Sequence, residues 1–164
     1  MDGRSLYEDD IYAWAEEQAA ALRRLAADPR AAPPGLDLEH LAEEIADLGK
    51  SELRAATSPL VQALAHLAKL AGDPGSLAAA HWAGEVLRFL LDARAAYAPS
   101  MRRQIDLDRL WRDAARLAHA SLAAYGIEAV PNLPRQAPFT LDELLDEGFD
   151  VRAAVARLQR TAEG

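Results

Sequence analysis

Apolar residues recur along this chain at spacings of three and four, most clearly between Asp37 and Leu53. Four apolar side chains of this segment share one stripe of a 3.6-residue period: Leu38, Leu41, Ile45 and Leu48. The polar side chains on the far side of the same period are Glu39, Glu43, Asp47 and Lys50. This separation predicts an amphipathic helix, capped by Asp37, that packs its apolar stripe into a core.

The same period predicts three further long helices and two short ones. The long helices are expected over residues 5–27, 37–71, 76–97 and 100–125, and the short ones over 140–147 and 151–160. Ser5 and Glu8 give the first helix a capping-box pattern, and Gly126 can end the fourth in a left-handed conformation. Because no segment alternates apolar and polar residues with a period of two, the chain is predicted to be all-α.

Pro59 interrupts the second long helix and leaves two interpretations. If the helix continues, its stripe extends through Ala63, His66 and Leu70, and the missing N–H of Pro59 produces a kink. If it stops, Ser58 becomes an N-cap and Pro59 the first residue of a new helix. We favour the continuous, kinked helix.

The C-terminal part is predicted to cross the rest of the chain. A connector over residues 126–139 leads into a strap over residues 138–160, in which Thr140 and Glu143 form a second capping-box pattern. The strap residues expected to be buried are Phe139, Leu141, Leu144, Leu145 and Phe149. The turn at residues 72–75 is short, so the helices on either side should be antiparallel. We predict one domain, residues 1–164: an antiparallel bundle of four long helices with two short C-terminal helices packed across it.

Composition and charge narrow the class of protein. The 164 residues include no cysteine, which excludes a disulfide framework, thiolate metal ligation and a thiol nucleophile. The net charge is −8, and the first 58 residues carry 13 acidic against 6 basic side chains, so nucleic-acid or anionic-membrane binding is not expected. No apolar stretch reaches the ~18 residues of a membrane span, and the acidic start does not resemble a signal peptide. The expected location is the cytoplasm.

Few residues have the pattern of a chemical site. His66 lies among apolar neighbours and Lys69 follows it by three residues, although each of these types is more often structural than a ligand in such a place. Two pairs have the i,i+4 spacing that suits metal ligands: His40 with Glu44, and His81 with Glu85. The Glu-x-x-His pattern of di-metal bundles is absent, so no metal and no other cofactor is expected.

Several segments together resemble a known family. They are DLEHLAEEIADLGKSEL from Asp37, AHLAKL from Ala65, the single residue Trp82, PSMR from Pro99 and PFTLDELLDEGF from Pro138. In this order they are similar to a bacterial family catalogued as domain of unknown function twenty-nine, whose members are small helical proteins without an established activity. The motif residues implied by the resemblance are Glu43, Glu44, Lys50, His66, Lys69, Trp82 and Arg102, all but Lys50 being taken as candidate binding residues. The chain departs from the family's pattern at His40, Pro59 and Leu90.

Two classes of function follow. We favour a non-enzymatic interaction module that docks a protein partner or a second copy through its acidic flank or through Leu87 and Leu91. These leucines lie opposite Trp82 on the third long helix and need cover from the strap or from another subunit. The alternative is an enzyme or small-ligand binder with a polar pocket built from Glu44, His66, Lys69 and Trp82. Positions 44 and 66 are 22 residues apart, ~33 Å along a straight helix, so this pocket requires the chain to fold back at Pro59.

Overall fold

The computed structural model describes the backbone of residues 3–28, 30–127 and 133–162. Within these residues the chain forms helices and no strand, which confirms the predicted all-α class. The helices are α1 (Gly3–Asp9), α2 (Ile11–Ala26), α3 (Leu38–Gly72), α4 (Ala79–Ala96), α5 (Leu107–Ala123), α6 (Leu141–Leu145) and α7 (Val151–Ala162), with a 3₁₀ helix at Pro99–Gln104. Part of the predicted connector over residues 126–139 lies outside the described residues.

The chain divides into two compact units. The first comprises Met1–Ala55 and Ala96–Gln104, and the second comprises Ala56–Ala95 and Ile105–Gly164. Division by packing does not test whether one unit folds without the other. The single domain over residues 1–164 therefore stays a prediction.

Two of the predicted long helices are interrupted by capping aspartates. The segment predicted as one helix over residues 5–27 forms two helices, and the first of them, α1, runs from Gly3 to Asp9. Ser5 therefore lies inside α1 and does not begin it. Asp10 leaves the helical conformation and accepts a hydrogen bond from the Ala13 N–H at 2.9 Å, which starts α2. The fourth predicted helix divides in the same way, because Asp106 caps α5 after the 3₁₀ helix.

Helix α3 runs without interruption from Leu38 to Gly72 with Pro59 in its interior. The continuous helix is therefore confirmed, and a new helix beginning at Pro59 is wrong. Proline has no N–H, so the carbonyl of Ala55, four residues earlier, cannot receive its helical hydrogen bond. The remaining hydrogen bonds of this 35-residue helix are enough to carry it through that point.

In the first unit, small residues form the contact between α2 and α3. A Cβ atom placed on Gly49 would lie 3.4 Å from the Cβ of Ala15, so the two helices approach closely here. This approach favours small side chains, and Ala42 and Ala46 of α3 are buried. The predicted stripe is wrong at Leu41, which is 42% exposed, because the alanine and glycine side of α3 faces α2 in its place.

The second unit holds the large apolar core. Its fully buried side chains include Leu60, Leu64, Leu67, Val86, Leu90, Trp111, Leu122, Leu144 and Leu158. The Trp111 Nε1–H donates to the carbonyl of Pro134 at 2.6 Å, so this buried indole keeps its polar group paired. On α5, Leu117 is 40% exposed, whereas Leu122 lies in the core.

The strap belongs to the second unit, and its capping box forms as the sequence predicts. Thr140 and Glu143 form the capping box, with the Thr140 N–H donating to Glu143 Oε2 at 2.6 Å and the Glu143 N–H donating to Thr140 Oγ1 at 3.2 Å. Of the five strap residues predicted to be buried, Phe139, Leu141 and Leu144 are buried. Leu145 and Phe149 are only half-buried, and Phe149 lines an open cavity. Arg94 of α4 donates to the carbonyls of residues 145 and 146 at 2.8 and 2.9 Å, which ties the end of α6 to α4.

Candidate functional site

The structure separates the candidate binding residues into two groups. Three of them, His66, Lys69 and Trp82, lie in the second unit. The others lie in the first unit: Glu43, Glu44 and Arg102 are exposed there, as is the motif residue Lys50, whose Nζ donates to Asp47 at 2.7 Å. Glu44 and His66 belong to one uninterrupted helix, ~33 Å apart by helical rise, so the pocket predicted to contain both is wrong within one chain.

Lys69 is the centre of the group in the second unit. It lies in the last turn of α3, where a positive charge is favoured by the helix dipole. Its side chain extends over Trp82, with Nζ 4.9 Å from the ring centroid, a cation–π contact. The residue is only 8% exposed. Burial lowers the pKa of the ammonium, and the negative charge of Glu85 acts in the opposite direction.

His66 lies one turn before Lys69 and is half-buried. Its Nδ1 is 2.8 Å from the carbonyl oxygen of Gln62, which can only accept, so Nδ1 carries the proton and the neutral ring leaves Nε2 as an acceptor. The ring packs against Phe89 with centroids 5.6 Å apart. Burial lowers the pKa of His66, and the charge of Lys69 lowers it further.

Helix α4 contributes a charged row beside these residues. Arg88 donates to both carboxylate oxygens of Glu85, at 2.8 and 3.1 Å, and to Asp92 at 3.3 Å. The Arg88 guanidinium also lies 4.1 Å from the Phe89 ring centroid. The hydrogen bond from Arg88 lowers the pKa of Glu85, so this carboxylate stays ionised near Lys69.

We call His66, Lys69, Trp82 and Glu85 the lysine cluster. Sequence reasoning missed Glu85 as a member, because its spacing from His81 suggested a metal pair. Its position three residues after Trp82, on the same side of α4, was the pattern that could have identified it. No group of three or more histidine and carboxylate side chains in the described residues gathers as a metal ion requires. The cluster instead combines the Lys69 ammonium, a donor on an aromatic face, with the neutral His66 ring, whose Nε2 is an acceptor.

A second feature lies on the outer side of α4. Leu87 and Leu91 are 51% and 59% exposed, whereas Val86, Leu90 and Ala93 of the same helix are buried. The small residues Ala80, Gly84 and Ala95 are exposed and continue the leucine pair at spacings of three and four. We call these five residues the leucine face. A Cβ atom added to Gly84 meets nothing within 4 Å, so another helix has room to approach it closely.

The strap also carries an open cavity of about 710 Å³. Phe139 and Phe149, with ring centroids 6.1 Å apart, provide its aromatic lining. Arg157 pairs with Glu143 at 2.8 Å and lies over the Phe139 ring. Arg157 and Glu143 of the lining are therefore already paired with each other.

The fold defines a small all-α protein with two surfaces of distinct chemistry, the lysine cluster and the leucine face. Residues 6–150 match the family model described as Domain of unknown function DUF29, and the chain belongs to this family. The resemblance predicted from the sequence is thus confirmed.

A solved structure supports the fold. The crystal structure of an alpha-helical protein of unknown function from Rhodospirillum rubrum is similar to this chain with 39% sequence identity and a TM-score of 0.81. The similarity covers 93% of this chain and 96% of that one. The comparison with curated proteins found no match. Among the described helices, none has the length and apolar character needed to cross a bilayer.

Proposed function

We propose that this protein is a non-enzymatic interaction module that pairs with a second copy of itself through the leucine face. The observation that carries the proposal is the exposure of Leu87 and Leu91 on a helix whose opposite side is already buried in the core. The sequence analysis gave two alternatives for covering these leucines, the strap or a second subunit. The strap leaves both exposed, so we assign the cover to a second subunit. The proposal keeps the predicted antiparallel bundle of four long helices as its scaffold and the cytoplasm as its location.

The energetics favour covering this face. Apolar area removed from water contributes ~25 cal/mol per Å², and two half-exposed leucines one turn apart form a continuous patch. A glycine inside a helix lowers stability by ~0.5–1 kcal/mol relative to alanine. Within one chain nothing requires a glycine at position 84, because the space beside it is open. Close approach of a partner helix accounts for the glycine and for the exposed leucines.

The charges beside the leucine face are self-complementary. Arg88 and Asp92 stand next to it on α4, one turn apart and of opposite sign. In an antiparallel pair of α4 helices related by a two-fold axis near residue 90, each Arg88 faces the Asp92 of the other copy. Isologous contact of this kind is the usual form of a homodimer. The net charge of −8 argues against nucleic acid as the partner.

Sedimentation velocity at micromolar concentration tests the proposal. We expect the wild-type chain to sediment as a dimer and a Leu87→Glu, Leu91→Glu variant to sediment as a monomer, because the two carboxylates would be buried without partners. The matched control is Leu77→Glu, since Leu77 is fully exposed and lies before α4 begins. This control should remain a dimer. A wild-type monomer, or a dimer that survives the double substitution, contradicts the proposal.

A further inference from the structure

We propose that a cavity between α5 and residues 133–136 binds a small anionic molecule, whose phosphate or carboxylate group contacts Arg112 and Arg135. The cavity is open, measures about 630 Å³ and is lined only by residues of the second unit. Small-molecule sites in proteins usually measure ~300–1,000 Å³. The site lies apart from the leucine face on α4, so the two proposals stand independently.

One face of α5 forms the helical wall of the cavity. Its residues follow one another at spacings of one, three and four: Asp108, Trp111, Arg112, Ala115 and His119. Ala115 lies about one turn from both Arg112 and His119, and its methyl group leaves room between these two longer side chains. A ligand held by Arg112 therefore has space to extend along the helix towards His119.

Two hydrogen bonds fix the opposite wall. The Trp111 Nε1–H donates to the carbonyl of Pro134 at 2.6 Å, and the Ala137 N–H donates to Asp108 Oδ1 at 2.8 Å. Arg135 lies between these two anchored residues, which holds its backbone beside α5, and its side chain lines the cavity. The wall is thus formed before a ligand arrives, which lowers the entropy cost of binding.

The charges of the lining favour an anion. Arg112 and Arg135 are exposed, and within the described residues neither guanidinium has an ion-pair or hydrogen-bond partner. Asp108 is the one carboxylate among the described lining residues, so the lining is net positive on a chain whose net charge is −8. The planar fork of a guanidinium matches the oxygens of a phosphate or a carboxylate.

His119 indicates a second polar group on the ligand. Its Nε2 is one of the two buried side-chain polar atoms that lack a hydrogen-bond partner within the described residues. Buried polar atoms in native proteins are nearly always paired, so an unpaired one in the lining of a cavity indicates a partner from outside the chain. Seven residues separate His119 from Arg112, ~10 Å along the helix. We infer a ligand with an anionic group at one end and a hydrogen-bonding group at the other.

The test uses glycerol 3-phosphate and succinate as probes, with glycerol and succinamide as their neutral counterparts. Titrations of the full-length chain are followed by the NMR signals of the His119 ring and the Trp111 indole N–H. We expect at least one of the two anions to shift both signals saturably, and the neutral compounds to leave them unchanged. The anion that binds more tightly shows whether the group recognised is a phosphate or a carboxylate. Failure of both anions, or equal shifts with the neutral compounds, would overturn the proposal.

Arginine variants locate the anionic end of the ligand. Arg112→Gln and Arg135→Gln should each weaken binding roughly tenfold or more, because each removes hydrogen bonds between a cation and an anion. Both residues are exposed, so the fold should be unaffected. The matched control is Arg109→Gln, which removes an exposed arginine of the same helix that does not line the cavity. An equal loss of affinity in the control would show that only general charge attraction is involved.

A His119→Phe variant tests the other end. Phenylalanine keeps a ring at this position but has no polar atom, so the variant should fold and should bind the preferred probe more weakly. Thermal unfolding verifies the fold of each variant. Undiminished binding by a folded His119→Phe protein contradicts the role of His119, and undiminished binding by both arginine variants contradicts the site.

Discussion

At the level of single residues, two histidines of α3 respond to pH with opposite sign. His66 is half-buried, and burial lowers its pKa below the ordinary 6.5. His40 is exposed and lies 2.5 Å from Asp37, whose hydrogen bond raises the pKa of His40 above 6.5. The unfolded chain therefore binds more protons than the native state at His66 and fewer at His40.

These signs lead to a prediction for variants. The stability associated with His66 is fully present above pH 6.5 and is lost as the pH falls through its lowered folded-state pKa. The stability associated with His40 is fully present below pH 6.5 and is lost as the pH rises through the raised folded-state pKa of His40. Between pH 5 and 8, His66→Gln should therefore shift the slope of unfolding free energy against pH downward, and His40→Gln should shift it upward. Urea denaturation across this range measures both slopes, and equal slopes in the two variants would refute the assignment.

The family resemblance brought Lys69, His66 and Trp82 forward as candidates, and the three-residue spacing of His66 and Lys69 places those two on one face of α3. Residue types and spacings were not enough for Glu44 or Leu41. The position of Glu44 depended on whether the chain folds back at Pro59, which a proline inside a helix does not decide. The position of Leu41 depended on which side of α3 meets α2, and there the close approach at Gly49 outweighed the larger apolar side chain.

At the level of elements, capping residues determined where the sequence prediction succeeded. The box at Thr140 was predicted and is present, because its acidic partner follows at the required spacing. Asp10 and Asp106 cap helices in the interior of segments that look continuously helical by apolar period alone. Apolar periodicity indicates that a helix forms, but a local side-chain hydrogen bond decides where it starts.

Two glycines associated with helices should respond to alanine in opposite directions. Gly84 lies inside α4 with open space around it, so Gly84→Ala should raise the unfolding free energy of the monomer by ~0.5–1 kcal/mol. Gly126 follows α5 with φ of +71°, so Gly126→Ala should lower it, by ~1 kcal/mol. Urea titrations at dilutions where the chain is monomeric measure both. Destabilisation by Gly84→Ala under those conditions would show a backbone constraint at Gly84 within one chain.

For the molecule as a whole, the strap is expected to be required for stability. Deleting residues 138–164 removes the buried side chains of Phe139, Leu141, Leu144 and Leu158 from the second unit and exposes the surfaces they cover. The melting temperature should fall by many degrees, since ~1 kcal/mol alone shifts a domain of this size by ~2–4 °C. Thermal unfolding followed by circular dichroism gives the result. An unchanged melting temperature would mean that the strap adds nothing to folding.

The all-α class was predictable because every long segment follows one period. The two compact units were not, since their boundary divides the continuous helix α3, and a single uninterrupted period gives no indication of a boundary. The information that separates the units is the size of the buried residues. Between Ala42 and Gly49 the buried residues of α3 are alanine and glycine, whereas the part in the second unit adds the fully buried Leu60, Leu64 and Leu67.

The proline in α3 has a consequence for hydrogen exchange. Ala55, whose carbonyl loses its helical hydrogen bond to Pro59, is the residue at which the first unit ends along this helix. The amides on either side therefore report different local opening reactions. We expect those of residues 60–70, beneath the leucine core, to exchange much more slowly than those of residues 42–52, although all belong to one helix. Uniform protection along α3 would show that it opens as a single element.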